Sequence, residues 1–468
     1  MSAAPVARIL YAAPFAGVNQ TEAESIPVTA DGLDKAFERL TPTIDVKAGG
    51  SKVTFAPRSM MDFDPAHLGT LLDGVDDKAA ALDQLLHAPA FLTLESAWRG
   101  LDTALRMSEG APVSHEILAS GKRDLAERFH ESVFDAEYDD SSEVPLALVI
   151  ADFDVTHQAA DLTVLRAVGG LAKAISVPFV FSAAPSFFGI KNLFHLGSIP
   201  GVMQRFSEAP YAGWRSFQTS DESRWVCLTT NRFLTRELHA IDDFEESSEM
   251  LHSEWRPWAR AGWLTAAAVA GSARKHQHLA DMDGMQSCGD FGDLTTFPYP
   301  VAHNKTEDNA TEAIIPDEKS LELAHGGIST LLSQKGTSNA YFPILANVYR
   351  PGFGALTLEA SLANQLILGD LAHTLLRAFP GAPSESAETA AAYYRDLVTI
   401  WVSRYVDPDR SDEDADGGKE GDEKPEVVEV TPQKTEDGAA VISIIVRPPI
   451  KIHNHDPEYT FALPVGGS

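Results

Sequence analysis

Residues 145–155 read PLALVIADFDV, an almost unbroken apolar run that closes on two aspartates. A strand with this pattern is buried on both faces, because neither face alternates to polar. Such a strand needs cover on both sides, and the next residues supply it. Leu162, Leu165, Val168, Ala172 and Ile175 recur at helical spacing. A second apolar segment, VPFVFSAAPS (177–186), follows, and WVCLTT (225–230) offers a third strand. Strand, helix and strand in this order form a βαβ unit, so a parallel sheet with a right-handed crossover is expected. The fold class is therefore α/β in a mixed α+β setting, with central sheets flanked by helices.

Upstream, ARILYAAPFAG (7–17) reads as a strand running into a Gly/Pro turn. LDKAFERL (33–40) puts Leu33, Ala36, Phe37 and Leu40 on one helical face. Residues 41–55 alternate, and AGGS between Val46 and Val53 reads as a hairpin turn. In SMMDFDPAHL, Asp64 stands where an N-cap belongs, with Pro65 at the first helical position. Residues 1–78 thus read as a small α+β unit. A larger α/β body is expected over 79–406. It opens on a helix whose stripe is Leu94, Trp98, Leu101 and Leu105. Residues 254–280 read as largely helical, 311–375 repeat the strand–helix theme, and 386–406 form an amphipathic helix.

Residues 409–426 contain nine acidic and three basic residues and almost nothing apolar. The segment 407–426 is read as a solvated, acidic linker. Beyond it, EVVEVTP and AAVISIIVRPP, joined by TEDG, read as a β-hairpin arm within 427–468.

Charge narrows the function classes. The 468 residues carry 37 Lys+Arg against 67 Asp+Glu, a net charge of −30. Nucleic acid and anionic membrane surfaces are disfavoured partners for such a chain. No apolar run is long enough to span a bilayer, and the N-terminus lacks the layout of a signal peptide. The two cysteines, Cys227 and Cys288, cannot build a disulfide framework or a four-ligand zinc site by themselves. A cytoplasmic protein without membrane insertion is expected.

Catalytic signatures are missing. Gln334-Lys335-Gly336-Thr337 has Lys and Gly in the wrong order for a phosphate loop, and no Gly-x-Ser-x-Gly elbow occurs. Asp152 and Asp154 end a strand, where α/β enzymes place catalytic groups, but strand-end acids also cap turns. An α/β enzyme stays as a remote reading. His276, His278, Asp281 and Asp283 are close in sequence, yet histidines two apart on a helix diverge, so a solvated helix end is favoured over a metal. His453 and His455 read as surface-strand residues. Cys227 reads as a buried strand residue, and Cys288 as a loop thiol with no base in view. No metal or cofactor is expected.

Aromatic–cationic pairs are more distinctive: Trp98-Arg99, Trp214-Arg215 and Trp255-Arg256, with Trp258 close by. Each is either a core Trp beside a surface Arg or part of an interface, where both residue types are enriched.

Taken together, these strings resemble the large subunit of the type VI secretion contractile sheath. The resemblance rests on LDQLLHAPAFLTLESAWRGL (82–101), PLALVIADFDV, VPFVFSAAPSFFG, PYAGWRSF (210–217), RWVCLTTNRFLTR and VISIIVRPPIKI, and spans roughly 80–465. ILYAAPFAG, LDKAFERL and VTFAPRSMMDFDPAHL resemble the small subunit of the same sheath, with Met60, Asp62 and Phe63 inside the last motif. The chain thus resembles a small-subunit unit fused to a large subunit. The resemblance implies a non-enzymatic structural protein that assembles as a helical polymer around an inner-tube ring protein and contacts baseplate components. A recycling AAA+ ATPase is a further partner of such sheaths. Glu95, Trp98, Arg99 and Gly100, and Trp214, Arg215, Ser216 and Phe217, are the implied structural or intersubunit residues. Val441, Ser443, Ile445 and Arg447 mark an implied strand-exchange segment, 441–447. A non-polymerising homologue acting as adaptor, cap or assembly regulator is the alternative.

Overall fold

The strand Ala7–Ala13 (β1) turns Ile9 and Tyr11 to one side and Leu10 and Ala12 to the other, and all four are fully buried. A strand buried on both faces belongs in the middle of a covered sheet. The computed structural model, which describes residues 5–19, 22–139, 141–239, 249, 252–302, 305–352, 356–406, 426–435 and 439–465, places it there. Strands Ser25–Val28 (β2), Ile44–Ala48 (β3), Ser51–Phe55 (β4), Val113–Ala119 (β5), Leu146–Val155 (β6), Phe179–Ala183 (β7) and Val226–Thr230 (β8) follow along the chain. The main sheet runs in the order Ile328–Thr330, β8, β7, β6, β1, β5, β2. Its neighbours pair in parallel, apart from the edge strand β2, which is antiparallel to β5. The βαβ expectation therefore holds for β6, the helix Ala159–Ile175 and β7.

The expected boundary at residue 78 is not a break in packing. β1 pairs with β5 from Ala7↔Val113 to Ala13↔Ala119, and with β6 from Arg8↔Leu146 to Ala12↔Ala151. Both partners lie beyond residue 78, so residues 1–78 do not close a core of their own. Parallel neighbours need a long crossover, and residues 14–112 provide the one between β1 and β5. That crossover holds the helices Leu33–Leu40 (α1), Pro65–Leu68 (α2), Lys78–Leu86 (α3) and Pro89–Met107 (α4) and the β3–β4 hairpin. Leu33, Ala36, Phe37 and Leu40 of α1 are all buried, as their spacing predicts. The hairpin turns on Gly49 and Gly50, at φ +57° and +76°, where a two-residue turn needs left-handed backbone at both positions.

α2 starts at Pro65 as expected, but the Asp64 side chain makes no capping hydrogen bond. The capping box forms earlier, between Ser59 and Asp62. Asp62 Oδ2 accepts from the backbone N–H groups of Arg58 and Ser59, at 2.6 and 3.1 Å.

Two apolar cores sandwich the sheet. One gathers Ile9, Tyr11, α1, α4 and the helix Gly262–His276; the other gathers Leu10, Ala12 and the helix Ala159–Ile175. Within 254–280 the α-helix runs only from Gly262 to His276, because Trp258–Arg260 pairs as a short strand with Arg232–Leu234. Over 311–375, the helix Asp317–His325 and the strand Ile328–Thr330 lead through short antiparallel pieces to the helix Leu362–Ala378. The amphipathic helix is Ala387–Val402. The acidic stretch 407–425 lies outside the described residues. No helix among them is long and apolar enough to cross a membrane.

The expected C-terminal arm is a docked sheet. Val428–Lys434, Ala440–Val446 and Tyr459–Pro464 form three antiparallel strands with Ala440–Val446 in the centre. Ile442, Ile444 and Val446 are fully buried in the first core, together with residues of the helix Ala387–Val402. The Tyr459 hydroxyl donates to Asn364 Oδ1 at 2.9 Å. The strand-exchange assignment of 441–447 is therefore corrected: both edges of this strand are already hydrogen-bonded. The alternation of VISIIV explains why, since one face of the strand has a core to join.

Breaking the chain in the exposed loop between Gly74 and Val75 should leave two fragments that need each other. Residues 1–74 and 75–468, co-expressed, should co-purify with a cooperative thermal transition. Fragment 75–468 alone should be insoluble or lack that transition. A cooperative melt of 75–468 alone would show that β1 is dispensable.

Candidate functional site

α4 carries the densest set of implied residues. Its Trp98 is fully buried, stacks on Phe37 at 3.8 Å between ring centroids, and donates its indole N–H to Phe15 O at 3.1 Å. Phe63 is buried in the same aromatic group, against Phe37, Phe55 and Phe91. Met60 is half-buried at its border. Trp98 is thus a core residue, the first of the two readings, and it ties the N-terminal elements to α4.

Glu95 lies one turn earlier and is fully buried. Its Oε1 accepts from Arg99 Nε and from Arg236 Nε, each at 2.8 Å, and Arg236 also reaches Glu249 at 2.9 Å. Burial opposes the charge on Glu95, but Arg236 and Arg99 outweigh it and hold the carboxyl below its ordinary pKa. Arg99 also faces Asp64 at 3.5 Å. Gly100 permits a close approach: a Cβ there would lie 2.6 Å from Trp263 Nε1.

Trp263 links this helix to the acids at the end of β6. Its indole N–H donates to Asp152 Oδ1 at 3.0 Å. Arg260 reaches Asp152 at 3.1 Å and Asp154 at 2.8 Å, and Arg232 adds a contact to Asp154 at 3.5 Å. Burial pushes Asp152 up, while Arg260 and Arg232 overcome burial at Asp154 and bring it down to about 2. Both acids are thus paired with cations.

The second implied group is likewise internal. Trp214 and Phe217 are fully buried, and Trp214 meets Phe187 edge-on at 5.0 Å. Arg215 donates to Phe206 O and Glu208 O at 2.6 and 2.8 Å. Of the four, Ser216 is the exposed one, and its hydroxyl accepts from Arg166 at 3.4 Å. In the C-terminal sheet, Val441, Ser443 and Ile445 share the half-buried face of the central strand. Arg447 ties that strand to both neighbours, through Glu429 and, at 2.7 Å, Glu458.

α4 and the 214–217 group are separate, and neither sits beside the 441–447 strand in one site. Arg236, Glu249, Arg260 and Trp263 were not legible as partners. Arg236 is 141 residues from Glu95, and a buried acid in a helix names no distant partner. His453 and Asn454 form a left-handed turn, φ +48° and +66°, where a strand was expected, and His453 Nε2 meets Asp283 Oδ2 at 2.8 Å.

The family model described as "EvpB/VC_A0108, tail sheath N-terminal domain" matches residues 72–346, more than half of the chain. The chain belongs to this tail-sheath family. The type VI secretion system sheath protein TssC1 of Pseudomonas aeruginosa is 25% identical over 305 residues, 60% of this chain and 61% of the relative. The chain thus spans less than two thirds of that relative's length. A crystal structure of a sheath tail protein from Desulfitobacterium hafniense aligns with 68% of this chain and 56% of its own, at 11% identity and a TM-score of 0.34, too low to carry an argument. The family match takes in Glu95 to Gly100 and Trp214 to Phe217, whereas Met60, Asp62, Phe63 and 441–447 lie outside it.

Two outcomes follow from the packing. Gly100→Ala should drive Trp263 off Asp152 and lower stability by about 1–3 kcal/mol, measured by denaturant unfolding; an unchanged midpoint would contradict the close approach. Asp154 has a folded pKa below its unfolded one, so its stabilisation is complete above about pH 4 and is lost as pH falls towards 2. Wild-type Tm should fall through that window. Asp154→Asn should start about 1–2 kcal/mol less stable at pH 7 and fall less steeply. Parallel Tm–pH curves for the two proteins would refute the assignment.

Proposed function

We propose that this chain is a non-enzymatic, cytoplasmic subunit of a type VI-like contractile sheath, and that residues 1–78 are a small-subunit-like segment fused to a large-subunit-like body. One observation carries the fusion reading. The family match begins at residue 72, and β5 and β6 lie inside it, yet the strand that fills the slot between them is β1, outside it. On this reading, a large subunit without this segment takes its central strand from a separate small subunit. Here the strand is covalently attached, which replaces a bimolecular encounter by an intramolecular one and fixes one-to-one stoichiometry.

Its partners on this reading are further copies of the chain, an inner-tube ring protein, baseplate components and, as in sheaths it resembles, a recycling AAA+ ATPase. A head-to-tail interface that does not close into a ring generates a helical filament. On this reading strand addition between neighbours would use the Tyr459–Pro464 edge of the C-terminal sheet, since Val430 O on the other edge already accepts from Arg395. Contraction would draw on a switch between two packings of the same subunits.

Electron microscopy of the purified chain, mixed with inner-tube and baseplate proteins of the same system, tests the reading. Helical tubes are expected. A concentration-independent monomer that binds one end of a sheath would instead support the adaptor or cap, and monomers that ignore every component would sink both.

A further inference from the structure

The helix Gly262–His276 ends where three ligand-type side chains from separate points of the chain converge. Gln277, left-handed at φ +61°, turns the backbone after His276. Ser272 then fastens the returning loop: its hydroxyl donates to His278 O at 2.8 Å and accepts from the Asp281 N–H at 3.0 Å. Asp281 Oδ2 is thereby held 3.0 Å from His276 Nε2 and 3.2 Å from Cys288 Sγ. The three ligand atoms all lie within 4.8 Å of one another. Gly271 keeps the space open, since a Cβ there would stand 3.2 Å from Cys288 Cβ.

We propose that His276, Asp281 and Cys288 bind one zinc-class divalent cation. Bonds of about 2.0–2.3 Å to N, O and S set tetrahedral ligand atoms roughly 3.3–3.8 Å apart, and the 3.0 and 3.2 Å separations about Asp281 need open by only a few tenths of an ångström to reach it. A thiolate beside an imidazole selects a borderline-soft ion over magnesium or calcium, which take oxygen donors. The ring of His276 stacks on His278 at 5.2 Å, and His278 stacks on Tyr405 at 4.8 Å, so the imidazole is braced from behind. Support of this kind orients a ligand before the ion arrives. His276, Asp281 and His278 line one open cavity of about 820 Å³ and Cys288 lines another, so solvent reaches the ligands and a water can take the fourth position.

Proton accounting is simple. Cys288 releases its thiol proton to solvent, and the His276 proton facing Asp281 moves to Nδ1, which frees Nε2 for the ion. Asp281 and the thiolate then supply two negative charges. Lys275, 3.8 Å from Asp281 Oδ2, offsets part of them and moderates the affinity. The inference does not depend on the sheath reading.

The test uses the full chain with Co²⁺ as a spectroscopic probe and Zn²⁺ in competition with a chromophoric chelator. One equivalent of Co²⁺ should give tetrahedral d–d absorption and a sulfur-to-cobalt charge-transfer band, both displaced by Zn²⁺. Cys288→Ser should abolish the charge-transfer band, and His276→Gln should weaken Zn²⁺ binding by about tenfold or more. Circular dichroism should show both variants folded. A charge-transfer band that persists in Cys288→Ser, Zn²⁺ affinity unchanged in His276→Gln, or no saturable binding by the wild type would each overturn the proposal.

Discussion

A parallel sheet tolerates no empty slot in its interior. The backbone groups of β5 and β6 that face this slot pair with β1, and each buried group left unpaired costs roughly 1–3 kcal/mol. β1 satisfies both rows. Its side chains then join the two cores, with Ile9 and Tyr11 in one and Leu10 and Ala12 in the other. From Tyr11 the contacts propagate outward. Its ring stacks on Trp263 at 5.4 Å, Trp263 holds Asp152, and Asp152 shares Arg260 with Asp154. The close contact of Trp263 with α4 in turn depends on Gly100 having no side chain.

The local elements were legible because their patterns are local. Apolar spacing located α1, the stripe of α4 and the helix Ala159–Ile175, and the Gly-Gly turn located the β3–β4 hairpin. Strand order was not legible, because a strand's pattern tells how many faces are buried and not which strands flank it. A signal for β1 did exist: ILYAA is as unbroken as LALVIA in β6 and carries the same mark of burial on both faces. Reading it that way would have placed β1 inside a larger sheet, beyond any 78-residue unit. The third C-terminal strand, Tyr459–Pro464, was hidden by IHNHD, whose left-handed turn at His453 and Asn454 requires two non-glycine residues at positive φ. Cys288 was equally hidden, since only the fold carries it back to the end of the helix at His276.

The Trp-Arg pairs show one residue pattern serving two internal purposes. In each of Trp98-Arg99 and Trp214-Arg215 the indole fills a core. Arg99 answers a buried carboxylate, whereas Arg215 closes backbone carbonyls of the preceding turn. Taking ions out of water is expensive, and removal of one partner from a buried pair costs about 3–5 kcal/mol. The Glu95–Arg236–Glu249 and Asp152–Arg260–Asp154 groups are therefore strong constraints on geometry even where their net contribution to stability is small. They fix how α4, the Trp258–Arg260 strand and the end of β6 meet, with Trp98 and Trp263 on the inside.

The edges of the C-terminal sheet differ as templates for a neighbour's strand. Val428–Lys434 has Pro432 in its interior, opposite Ile442. A proline in an edge strand turns its missing N–H outward, so this edge lacks a donor midway. Lys434 adds a charge of the kind that protects edges from adventitious pairing. Tyr459–Pro464 has its proline only at the last position, and its inner residues pair in continuous register with Ala440–Val446. On the Val428–Lys434 edge, moreover, Val430 O already accepts from Arg395 at 2.6 Å. Arg447 braces the Tyr459–Pro464 edge from within through Glu458. A strand added there would extend the sheet without displacing Ala440–Val446 from the core.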